Sequence, residues 1–139
     1  AAHFAWALET RDLGLVPEHA LRRRAGGRAE YDLARRGDAV PFARLLDAAR
    51  LVGRGSVPEL TAALADPDAA VRYWAAQGLV ALGPAAAAAA AQLEAALADP
   101  APDVAAAAAE ALCRAGRPGK AVPALANLLA DPSPWARLA

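Results

Sequence analysis

The chain has 139 residues, about one domain's worth. Fifteen basic residues balance fifteen acidic ones, which weighs against general nucleic-acid or anionic-membrane binding. One cysteine and two histidines, His3 and His19, exclude a disulfide framework and a cysteine-rich zinc site. No catalytic, cofactor-binding or metal-binding set is expected.

The composition is that of helix. Alanine accounts for 44 residues and leucine for 19, with 14 arginines, one lysine and no isoleucine. Alternating strand patterns are absent. The uncharged stretch Gly78–Leu93 holds Gly83, Pro84 and Gln92, so no membrane span is expected. No signal peptide is seen, and no methionine occurs, which reads as a fragment of a longer chain. The arginine and alanine bias suggests a GC-rich source.

The chain divides near Gly53 to Ser56. Residues 1–56 carry a net charge of +3 (ten basic, seven acidic), and residues 57–139 carry −3 (five basic, eight acidic). The first part reads as a helical linker or capping segment. Its basic run, Arg22, Arg23, Arg24 and Arg28 with Arg35 and Arg36, suits either an anionic ligand or a solvated helix face paired with Glu18, Glu30 and Asp32. The second is the favoured reading. Glu9, Arg11 and Asp12 read as salt bridges orienting the first helices.

The second part repeats itself. Asp66, Asp99 and Asp131 fall at steps of 33 and 32, as do Leu64, Leu97 and Leu129. Val71 and Val104 are 33 apart, and so are Gly83 and Gly116. Asp66-Pro67, Asp99-Pro100 and Asp131-Pro132 are expected to place an N-cap aspartate before a proline that opens a helix. Gly83 and Gly116 suit the left-handed position after a helix end. Each unit is therefore read as a helix of about ten residues, a tight turn, and a second helix of about fourteen. The units span 57–83, 84–116 and 117–139, the last being incomplete. Leu60 and Leu64, then Val71, Trp74, Ala75, Gly78, Leu79 and Leu82, form the facing stripes, repeated by Leu93, Leu97, Val104, Ala108, Ala111 and Leu112. One such unit cannot bury its own apolar face, so units must stack. The expected fold is all-α: a helical N-terminal segment followed by an α-solenoid. Arg72 and Arg137 are expected to bond a ladder of aspartates between units, with Asp66 and Asp99 as acceptors. Ala85–Ala91 reads as helix-favouring filler, and Tyr73, Trp74 and Trp135 as packing.

The D-P-x-x-x-V-R pattern resembles short HEAT-type repeats of bacterial proteins. Asp66, Pro67, Val71 and Arg72 carry it fully. Ala105 replaces the arginine in the second copy, and Ala136 replaces the valine in the third. Ankyrin and tetratricopeptide signatures are missing. The first part resembles the segment that follows the catalytic domain in certain bacterial sulfatases. Its E-T-R-D-L-G-x-x-P-E stretch is carried by Glu9, Thr10, Arg11, Asp12, Leu13, Gly14, Pro17 and Glu18, followed by Tyr31, Ala34 and Arg35. Glu30 departs from the proline usual before the tyrosine. The resemblance implies a non-catalytic accessory region, with the parent's catalytic domain or another protein as partner. It also implies a periplasmic or extracellular parent. Self-association through an open repeat end is a further expectation, with no nucleic-acid or membrane partner. Sulfatases of that kind form formylglycine in C-x-P-x-R. Cys113-Arg114-Ala115-Gly116-Arg117 is only a relaxed form of it, and Cys113 is read as a small buried hydrophobe. The alternative function is a stand-alone repeat protein that binds peptides or has lyase-like activity.

Overall fold

The computed structural model describes residues 15–25, 41–132 and 137, and no strand occurs among them. Glu9, Arg11, Asp12, Gly14, Arg28, Tyr31, Arg35, Arg36 and Trp135 lie outside the described residues. Helix α1 (Glu18–Ala25) is followed by α2 (Phe42–Leu51), α3 (Val57–Ala63) and α4 (Ala69–Leu82). A 3-10 segment (Gly83–Ala89) then leads into α5 (Ala90–Ala96), α6 (Pro102–Arg114) and α7 (Pro118–Ala130).

Two apolar clusters hold these helices. In the first, Val16, Ala20 and Leu21 meet Phe42, Leu45 and Ala48 of α2 and Ala70 and Val71 of α4. Trp74 packs against this cluster and donates its indole N–H to the Leu15 carbonyl at 2.7 Å. The second joins Leu60, Leu79, Leu93 and Leu112 with alanines of α5, α6 and the 3-10 segment. Those four leucines are fully buried, and each contributes about 1.5–3 kcal/mol by leaving water. Small residues bring the helices close. A Cβ built on Gly78 would lie 2.3 Å from Leu60 Cδ2, so the Leu60 side chain of α3 fills the space a larger residue on α4 would need.

The helix ends differ from the expectation in one respect. Asp66 and Asp99 are not N-caps. Asp68 caps α4, accepting the Ala70 N–H at 2.9 Å, and Ala101 stands at the cap of α6 with Pro102 opening that helix. Asp66 and Asp99 instead accept the N–H two residues on, from Asp68 at 2.8 Å and Ala101 at 2.9 Å. The side chain thus closes the turn before the helix begins. Asp131 ends α7 as its C-cap. At α3, Ser56 gives both its backbone N–H and its hydroxyl to Glu59, at 2.8 and 2.7 Å.

Gly116 has φ +74° and completes a paired C-terminal motif: its N–H bonds the Cys113 carbonyl, and the Arg117 N–H bonds that of Leu112. Gly83 caps α4 at φ +57°. The alanine run after it starts as a 3-10 turn and becomes α-helical only from Ala90. The third copy begins earlier than its alignment: α7 starts at Pro118, leaving Pro123 inside the helix. By length and composition alone, the continuous run Ala69–Ala96 is apolar enough to cross a membrane. Here Ala70, Val71, Ala75, Ala76 and Leu79 of that run line the core.

Candidate functional site

The turns between paired helices carry most of the long-range ionic contacts. Arg72 is at their centre. Its Nε and Nη2 donate to the two carboxylate oxygens of Asp99, at 2.7 and 2.9 Å. Its Nη1 donates to the carbonyls of Asp66 and Pro67, at 2.9 and 3.0 Å. One guanidinium therefore ties its own turn to the turn of the next unit. The planar fork suits this role, because it meets a carboxylate with two parallel bonds. Both side chains are well buried, and the Asp99 bond raises the Arg72 pKa further against the opposing effect of burial.

Arg44 of α2 makes a related contact one step earlier, sharing its Nη1 between the two Asp66 carboxylate oxygens at 2.9 and 2.8 Å. Sequence reasoning did not single it out, although it lies 28 residues before Arg72 in a comparable helix. Arg137 repeats the Arg72 grip on its own turn, donating to the carbonyls of Asp131 and Pro132 at 2.7 and 3.0 Å. Ala105 occupies the corresponding place in the second unit, and its methyl group cannot extend the series.

Arg24 corrects the reading of the basic run. It pairs with Asp68, 44 residues away, and both side chains are largely buried. Burial raises the Asp68 pKa, but the Arg24 hydrogen bond and charge and the Ala70 and Val71 N–H groups outweigh it, leaving the carboxyl below its usual range. The Arg24 Nη1 is buried and has no acceptor among the described residues. An orphaned donor of this sort costs about 1–3 kcal/mol. Arg22 and Arg23 are exposed on the same helix.

A cavity of about 440 Å³ opens where α1 meets the turns, between Arg23, Arg24, Asp68 and Arg72 with Pro67 and Pro100 as walls. A second, of about 330 Å³, is lined by Tyr73, Gln77, Asp103, Glu110, Leu125 and Arg137, among others. Burial, and next the charge of Asp103, raise the Tyr73 pKa. Tyr73 and Trp74 meet edge to face with ring centroids 5.5 Å apart. Val122 and Leu129 of α7 are exposed.

Cys113 is exposed, not buried, so its reading as a core residue is corrected. It falls near the solvent end of α6, whose buried stripe ends with Ala111 and Leu112.

Comparison with known families adds an independent result. A family described as HEAT repeat matches residues 57–86, and one described as HEAT repeats matches residues 90–139. No curated protein and no solved structure matches the chain. The matched ranges cover α3 to α7, and over them the described residues form an all-α stack of HEAT repeats.

Proposed function

We propose that this chain is a non-catalytic scaffold and protein-interaction module, and that it forms the C-terminal accessory region of a sulfatase-type hydrolase. The HEAT repeats over residues 57–86 and 90–139 carry the first half of that reading. HEAT-type stacks build extended surfaces from rigid helix pairs, and such surfaces serve binding. The second half is supported by the sequence resemblance of Glu9, Thr10, Arg11, Asp12, Leu13, Gly14, Pro17 and Glu18, with Tyr31 and Arg35. In this role the module packs on the catalytic domain of its parent and leaves an outer face for another protein.

Two experiments test the halves separately. For the interaction role, photo-crosslinking residues are placed at exposed positions of α1, α3 and α7 in the source cell. Discrete protein adducts are the expected result, and adducts at none of the positions overturn it. For the parentage, the reading frame upstream of Ala1 is sequenced. A C-x-P-x-R or S-x-P-x-R motif with metal-binding aspartates is expected there. A start codon immediately before Ala1 overturns the accessory reading and leaves a free repeat protein.

A further inference from the structure

The basic stretch of α1 and the aspartate–arginine series meet at one place, the cavity of about 440 Å³. We infer that this cavity binds the carboxylate of an acidic peptide segment presented by a protein partner, which rests on the interaction-module reading above.

The size suits a peptide side chain with its flanking backbone, since ligand pockets run from about 300 Å³ upward. The charge suits one carboxylate. Arg23, Arg24 and Arg72 line the cavity, and Asp68 and Asp99 are the carboxylates paired with two of them. Asp66 also acts on Arg72 and is offset by Arg44, so four cations against three anions leave one net positive charge. A single carboxylate neutralises it, and a doubly charged phosphate overshoots.

The donors are already in place. Arg72 spends its fork on Asp99 and its remaining nitrogen on two carbonyls, so it is held still. Arg24 is anchored to Asp68 through Nη2, while its Nη1 is buried without an acceptor among the described residues. Arg23 is exposed at the rim, and its guanidinium has no partner among the described residues. A carboxylate received there takes a bidentate contact from Arg23 beside the positive charge of Arg24. Pro67, Pro100, Ala20 and Ala69 supply stiff apolar walls, which favour the longer aliphatic stem of glutamate over aspartate.

The test uses the full chain and a fluorescein-labelled peptide of alternating glutamate and glycine, followed by fluorescence anisotropy. Arg23→Glu is compared with Arg54→Glu, which makes the same charge change in the turn after α2, and both are checked by circular dichroism. The inference requires Arg23→Glu to weaken binding about tenfold or more while Arg54→Glu leaves it within about twofold. Equal losses in both variants mean diffuse charge attraction and overturn the site. So does absence of binding by about 1 mM peptide, or equal binding of the peptide with glutamine for glutamate. Displacement by inorganic phosphate at the same concentration as the peptide overturns the peptide assignment in favour of a free oxyanion. Should crosslinking capture a partner only through α3 or α7 while the glutamate peptide fails, the site falls and the scaffold reading stands. Should the peptide bind with that pattern while no crosslinked partner forms, the site stands and the scaffold reading falls.

Discussion

Arg72 and Asp99 face each other across two repeat units with both guanidinium edges satisfied. The carboxylate receives Nε and Nη2 at 2.7 and 2.9 Å and also closes its own turn through the Ala101 N–H. The pair thus does local and long-range work with one set of atoms. Deleting either partner leaves the other charge largely buried and unpaired.

Arg72→Ala is therefore expected to destabilise the fold by about 2–4 kcal/mol, toward the lower end for a broken buried pair because both side chains keep some contact with water. Arg72→Lys keeps the charge and loses the fork, so it recovers only part of this. A double-mutant cycle with Asp99→Asn, read by urea denaturation, should give a coupling of at least about 1 kcal/mol. Additive losses would mean the pair is decorative.

Gly78→Ala is a sharper probe of packing. Alanine improves helix propensity by about 1 kcal/mol, but the new methyl meets the buried Leu60 at 2.3 Å. Overpacking of that kind costs about 1–3 kcal/mol. A net loss of stability is expected, partly restored by Leu60→Val in the same chain. A rise in melting temperature for the single variant would show that α3 and α4 have room to separate.

Acid should act through Asp68. Its carboxyl is held low in the folded state, so the folded chain binds fewer protons than the unfolded one. The contribution is complete above the ordinary carboxylate range near pH 4 and is lost as pH falls through the lower folded-state value. Glu59, held low by its Ser56 bonds, acts in the same direction. Asp68→Asn should flatten the fall in stability between about pH 5 and pH 2, as measured by thermal melts. An unchanged acid limb would remove Asp68 from the account.

Cys113 should react with iodoacetamide in the native protein at the rate of an accessible thiol, since it is exposed. Cys113→Ser is expected to change stability by no more than about 0.5 kcal/mol. Protection of the thiol in the free chain would contradict its placement on α6.

Much of this was legible because the repeat restates itself. Leu60, Val71, Leu79, Leu93, Val104 and Leu112 are buried where their spacing puts them, and Gly116 takes the left-handed backbone its position calls for. The turn chemistry was less legible. Asp-Pro can cap a helix directly or close a turn two residues ahead of it, and the same two letters serve both. The structure chose the second, handing the cap of α4 to Asp68. The Arg24–Asp68 pair spans 44 residues, and no local pattern predicts a partner that distant. Cys113 misled because its neighbours Ala111 and Leu112 are core, and one step round a helix turns a side chain to solvent.

Ala105 interrupts the arginine series one unit after Arg72, and α7 buries Ala121 alone among its own residues. Cooperativity in such an array is only as strong as its weakest neighbour interface. Native-state hydrogen exchange should therefore find α7 opening as a separate foldon well before α3–α6 do, with the global melt following later. Among the described helices, α7 is then the part of the stack that a partner can reorder without unfolding the rest.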